Sequence, residues 1–149
     1  MTTVGNAATK AIRDLNITRV VIDEATQVKE QESFFATLNA EQIILVGDQK
    51  QLGPTLNFKI DGPTSMYSRL IQAGYAYKFL DTQFRMHESL MNVPNTLFYN
   101  NAIKCGYVPN SDKQFMYSQK PFLFIDVADG KESLNGTSFM NQKEVDVIT

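Results

Sequence analysis

Cysteine is nearly absent: Cys105 is the only one in 149 residues. A single thiol excludes an internal disulfide and fits a reducing compartment. Histidine is equally scarce, and with His87 alone no Cys or second His completes a structural zinc site around it. No apolar run approaches the roughly 18–20 residues of a membrane span, so no membrane partner is expected. The opening residues, Met1-Thr2-Thr3-Val4-Gly5, carry no basic stretch ahead of an apolar core, and a signal peptide is not expected. Neither sign of charge dominates, because 14 Lys and Arg against 16 Asp and Glu leave a net charge of −2. An independent RNA-binding domain of the basic kind would leave a larger positive footprint. Internal repeats and low-complexity segments are missing too.

What remains is an ordinary globular composition, 43% hydrophobic and 20% charged. Apolar runs alternate with helical patterns, which predicts an α/β fold with a mostly parallel sheet flanked by helices. Val20-Val21-Ile22 reads as a buried strand that delivers Asp23 at its carboxyl edge, and Ile43 to Val46 as a second strand ending in Gly47-Asp48. Between them, Glu24 to Glu41 leaves room for a helical crossover, with Phe34, Phe35 and Leu38 as its apolar face. Thr64 is expected to cap a helix carrying Met66, Tyr67, Leu70 and Ile71 on one face, with Gly74 stopping it. Further strands are expected over Tyr75–Leu80 and Phe122–Val127, and a helix over Leu90–Tyr99 broken at Pro94. The polar stretch Asp129–Thr137 reads as a loop, and Asn141-Gln142-Lys143-Glu144 as a capping box opening a last helix.

Three polar clusters follow these strands. Asp23-Glu24 offers two adjacent carboxylates at a strand edge, where one can face a metal ion and its neighbour a nucleophilic water. Taken alone, such a pair is more often an acidic strand-end turn. The second cluster, Gly47 to Pro54, follows the next buried strand, and ligands of open α/β sheets bind outside the carboxyl ends of strands. Within it, the Gln51 amide can donate to a phosphate oxygen and accept from a water. The third, Gln83-Phe84-Arg85-Met86-His87, places an arginine where it can stabilise charge on a transferring phosphoryl group. A solvent-facing arginine is the plainer alternative. His87 reads as structural or helix-capping.

Together the strings VVIDEATQ (20–27), ILVGDQKQLGPT (44–55) and QFRMHESLMNVPNTLFY (83–99) resemble motifs II, III and IV of superfamily-one RNA helicases of the up-frameshift, or regulator-of-nonsense-transcripts, type. TTVGNAA (2–8) resembles the RNA-contacting segment upstream of motif II, and GTSFMNQKE (136–144) the start of the first helix in the second RecA-like domain. The resemblance implies parts of two RecA-like domains, 1–80 from the first and 81–149 from the second. It implies ATP and Mg2+ as cofactors, single-stranded RNA and other decay factors as partners, and a cytoplasmic setting for nonsense-mediated mRNA decay. By the same resemblance Asp23 is the magnesium-holding Walker B aspartate and Glu24 the base that activates water. Gln51 is the γ-phosphate sensor, and Arg85 the arginine finger supplied by the second domain. Phe84 stands where a tyrosine usually packs on adenine, and Thr3, Val4 and Gly5 are the weakest members of the set, as RNA-backbone contacts.

No Gly-x-x-x-x-Gly-Lys-Ser/Thr phosphate-binding loop occurs in the sequence. The expectation is therefore a piece of a larger ATP-dependent helicase. The competing expectation is a non-catalytic, helicase-like module that binds RNA or a protein without hydrolysis. Retention of Asp23, Glu24, Gln51 and Arg85 together favours the first.

Overall fold

The structure is a computed structural model that describes residues 1–57, 61–108 and 122–148. The chain forms two compact units, Met1–Leu80 and Asp81–Thr149.

The first unit begins with two short helices, α1 (Val4–Ala7) and α2 (Lys10–Arg13). Its centre is a parallel pair of strands, β1 (Arg19–Ile22) and β2 (Gln42–Leu45), in register from Arg19 opposite Gln42 to Ile22 opposite Leu45. The β-branched runs form strands, as a pleated surface favours, but not the buried strands expected: among their residues only Ile22 is buried, while Val21, Ile43 and Ile44 are exposed. A 3-10 turn (Ala25–Gln27) and α3 (Glu30–Thr37) make the crossover between them. After β2, α4 (Met66–Gln72) packs against the 3-10 turn and α3, and the Arg69–Glu30 ion pair joins α4 to α3.

Several local expectations shift here. The residues of α3 that are buried are Ser33 and Thr37, whereas Phe34, Phe35 and Leu38 are each about half exposed. The helix packs on α1 and α4 with its small residues Ser33 and Thr37 buried and its aromatic pair left half exposed. Ser65, not Thr64, caps α4 by accepting from the Ser68 amide at 3.1 Å, while the Thr64 carbonyl accepts from the Glu30 amide at 3.2 Å. Gly74 ends that helix in the left-handed region, φ +82. Tyr75–Leu80 forms no strand, because no neighbouring backbone among the described residues offers it a ladder.

The second unit holds a parallel pair, β3 (Thr82–Gln83) with β4 (Lys104–Cys105), joined through α5 (Glu88–Phe98). His87 caps α5, its Nδ1 accepting from the Ser89 amide at 3.2 Å. The expected break at Pro94 does not occur. The helix runs on through it, held by two buried residues one turn apart, Met91 and Asn95. Phe122–Val127 also forms no strand. The segment read as a loop contains half of a hairpin instead: β5 (Ser133–Asn135) pairs antiparallel with β6 (Ser138–Met140) across Gly136, whose φ of +64 suits a two-residue turn. The last helix, α6 (Gln142–Ile148), opens as the sequence predicts, with Asn141 Oδ1 accepting from the Glu144 amide at 3.4 Å and Asn141 Nδ2 donating to the Glu144 carboxylate at 2.7 Å.

The architecture is thus α/β with three two-stranded ladders, two of them parallel, rather than one mostly parallel sheet among the described residues. No helix among those residues is long and apolar enough to cross a membrane.

Candidate functional site

The turn that follows β1 is built by backbone geometry. Asp23 Oδ1 accepts from the Glu24 amide at 3.0 Å, and Glu24 then adopts the left-handed conformation, φ 51 and ψ 39. That reversal aims the Ala25 amide at the Val46 carbonyl, 2.8 Å away, while the Val46 amide donates to the Ile22 carbonyl at 2.9 Å. The ends of both strands are thereby stitched together. Both carboxylates stay exposed, and Gln27 Nε2 donates to Glu24 Oε2 at 3.3 Å.

The loop after β2 lies against this turn through Gly47. A Cβ there would stand 3.1 Å from the Thr26 amide nitrogen and 3.2 Å from Thr26 Cγ2, so only glycine fits without a shift. Asp48 organises the rest of the loop. Its Oδ1 accepts from the Lys50 amide at 2.9 Å and its Oδ2 from the Gln51 side-chain amide at 3.0 Å. From α4, the Tyr67 hydroxyl donates to the Gly47 carbonyl at 3.0 Å, with a longer 3.5 Å approach to Gln49 Oε1. Partial burial raises the Tyr67 hydroxyl above its usual pKa, and the Asp48 carboxylate and then Tyr77 add to the effect.

Asp23, Glu24 and Gln51 are therefore brought to one end of the β1–β2 pair. The donor set suits a magnesium ion carried by a nucleotide, which takes one or two carboxylates and completes its shell with phosphate oxygens and water. It does not suit an all-protein metal centre: no cluster of three His, Cys, Asp or Glu able to hold a metal exists among the described residues.

In the second unit, Gln83 braces the turn that carries Arg85. Its Oε1 accepts from the Arg85 and Met86 amides, both at 2.9 Å, and its Nε2 donates to the Met86 carbonyl at 2.8 Å. Arg85 is exposed. The Phe84 ring lies along Gly106, where a Cβ would come within 2.4 Å of Phe84 Cε1, yet 72% of Phe84 remains exposed. The ring is backed at Cδ1 and Cε1, and most of its apolar surface is left open.

Thr3, Val4 and Gly5 form the start of α1. The Thr3 hydroxyl accepts from the Asn6 amide at 3.3 Å, so it is occupied as a helix cap, and α1 itself packs on α3.

Sequence reasoning passed over Tyr67 and Gln83. Tyr67 read only as part of an apolar helix face; a hydroxyl on that face was the available signal. Gln83 lay inside the third motif string, but a bracing role has no signature in spacing.

Two family models, each described as an AAA domain, match the chain, one over residues 63–149 and the other over residues 1–58. The chain is 36% identical to Probable helicase MAGATAMA 3 of Arabidopsis thaliana over 76% of its length. It is 34% identical to ATP-dependent helicase NAM7 of Saccharomyces cerevisiae over 88%, and 32% identical to Regulator of nonsense transcripts 1 of Caenorhabditis elegans over 95%. It spans 15%, 15% and 14% of those three proteins. With two AAA domain matches in tandem and helicase relatives aligned along most of its length, the chain belongs to the superfamily-one helicases of the up-frameshift, regulator-of-nonsense-transcripts type.

Proposed function

We propose that the chain is the part of an ATP-dependent RNA helicase of nonsense-mediated mRNA decay that activates water and senses the γ-phosphate. Residues 1–80 belong to the first RecA-like domain and residues 81–149 to the second. The observation that carries this reading is the stitched pair of strand ends, which sets Asp23, Glu24 and the Asp48–Gln51 loop side by side.

Asp23 would hold the magnesium ion of the nucleotide, through the carboxylate that already caps the turn. The chemistry such an ion would supply is neutralisation of phosphate charge. Glu24 accepts a proton from the attacking water at its exposed carboxylate, and Gln27 steadies that carboxylate. Gln51 uses one amide hydrogen on Asp48 and keeps a second hydrogen and an oxygen for a phosphate oxygen and the water. Arg85 supplies positive charge where negative charge grows in the transition state. Phe84 offers an apolar face for adenine, and Thr3, Val4 and Gly5 meet the RNA backbone.

A segment exchange tests the reading. Residues 1–149 replace the aligned segment of yeast NAM7, and RNA-stimulated ATP hydrolysis is measured. A folded chimera that hydrolyses ATP and loses the activity on Glu24→Gln, while still binding nucleotide, is the expected result. Hydrolysis that survives Glu24→Gln overturns the assignment. A folded chimera that binds RNA without hydrolysis supports the non-catalytic module instead.

A further inference from the structure

Gly47 is gripped from two sides. On one side it is pressed against Thr26, and on the other its carbonyl receives the Tyr67 hydroxyl at 3.0 Å. Tyr67 belongs to none of the three helicase-like strings, and it reaches this loop from a residue 20 positions away in sequence. Its helix is firmly seated: the capping Ser65 is fully buried, Met66 is 9% exposed, and the helix packs on the 3-10 turn beside Glu24.

We infer that Tyr67 is a positioning residue for the Gly47–Gln51 loop, and that its hydroxyl sets the orientation of the Gln51 amide through Gly47 and Asp48. The chain of contacts is short. Tyr67 fixes the Gly47 carbonyl, and the peptide plane that contains this carbonyl also contains the Asp48 amide. Asp48 then holds Lys50 by its amide and Gln51 by its side chain, at 2.9 and 3.0 Å. An anchored carbonyl limits rotation of that shared plane, and with it the direction in which the Asp48 carboxylate points. Without the hydroxyl, the Gly47 carbonyl loses this side-chain donor and the loop pivots at a glycine, the residue least able to resist. The pinned loop belongs to the apparatus proposed above, so the functional meaning of the inference rests on that reading; its structural content does not.

Among the described residues the hydrogen bonds of this hydroxyl go to the loop, to Gly47 and Gln49, and this separates positioning from general stability. The test is amide hydrogen exchange of the 149-residue chain, resolved by residue, in wild type and Tyr67→Phe. The backbone amides of Lys50, which donates to Asp48 Oδ1, and of Gln51, which donates to the Asp48 carbonyl at 3.1 Å, are expected to exchange roughly three- to tenfold faster in the variant, the factor one neutral hydrogen bond is worth. The Ala25 and Val46 amides, which stitch β1 to β2, are expected to keep their rates. Tyr67→Leu removes the ring as well and serves as the control in which all four accelerate. Unchanged exchange at Lys50 and Gln51 in Tyr67→Phe overturns the inference, and so does an equal acceleration at all four amides. In the NAM7 chimera, Tyr67→Phe should lower turnover several-fold with the KM for ATP unchanged. If exchange responds as expected but the Glu24→Gln chimera still hydrolyses ATP, the loop anchor stands and the catalytic reading falls. If Glu24→Gln is inactive and exchange does not respond, the reverse holds.

Discussion

The side chain of Asn95 makes a two-way bond with the backbone of Ile103: Nδ2 donates to the Ile103 carbonyl at 2.9 Å, and Oδ1 accepts from the Ile103 amide at 2.9 Å. Asn95 is 5% exposed and sits in α5, while Ile103 leads directly into β4. One amide group thus ties the helix to the strand beside the turn that carries Arg85. Asn95→Ala leaves both backbone groups without this partner, and a loss of about 2–3 kcal/mol is expected from urea unfolding. Asn95→Asp keeps the acceptor but sets a carboxylate against the Ile103 carbonyl, and should do no better. A loss below about 0.5 kcal/mol, the scale of an ordinary surface change, would show that α5 is held elsewhere.

Arg85 allows a kinetic prediction. In the NAM7 chimera, the finger assignment proposed for Arg85 predicts that Arg85→Ala reduces turnover by roughly 10³–10⁵ while nucleotide affinity changes little, because an arginine finger acts on charge present only in the transition state. Arg85→Lys should not restore it, since an ammonium lacks the planar fork that reaches two oxygens together. Near-normal turnover in both variants removes the finger assignment.

Acid should weaken the second unit through Asp81. The Lys104 ammonium, and after it the Thr82 hydroxyl, hydrogen-bonds this carboxylate and lowers its pKa below the usual value. A carboxyl whose folded pKa lies below its unfolded value stabilises the fold above the unfolded value of about 3.9. The contribution fades as pH falls through the folded value. Asp81→Asn should therefore flatten the acid side of the stability curve and leave the neutral-pH melt nearly unchanged, the pair being open to solvent. A variant that melts with the same pH profile as wild type would place the acid sensitivity in other carboxylates.

Apolar exposure makes a solution-state prediction. Val21 and Ile44 are side by side in the β1–β2 register, 63% and 50% exposed, on a parallel pair whose kind is normally covered on both faces. The 149-residue chain should self-associate at micromolar concentration, read by light scattering. A monodisperse monomer with a cooperative melt at about 45–65 °C would refute it.

The parts legible in the sequence were those decided locally. Val20–Ile22 and Ile43–Val46 are β-branched runs, Gly74 needs a positive φ, and Asn141 with Glu144 forms a cap, so each announces itself within a few residues. Tyr75–Leu80 and Phe122–Val127 are equally apolar, but a strand also needs a partner ladder, which no local pattern encodes. The outward turn of Phe34 and Phe35 was hidden for a related reason. Periodicity gives a helix an apolar face without saying which side its neighbours cover. Of the candidate site, the carboxylates, Gln51 and Arg85 stand out in the sequence as members of motif-like strings. The holding roles of Tyr67 for the loop and Gln83 for the turn do not show there, because each works through a backbone group that any sequence could supply.

Glu24 occupies a left-handed backbone position with no glycine or asparagine to ease it. A side chain there carries a conformational penalty on the order of 1 kcal/mol or more, which Glu24→Gly would release. A selection for thermal stability alone would then reward loss of the very carboxylate assigned to the water. On the role proposed for Glu24, stability and turnover pull this position in opposite directions, so a library sorted first for melting temperature and only later for ATP hydrolysis would discard activity in its first round.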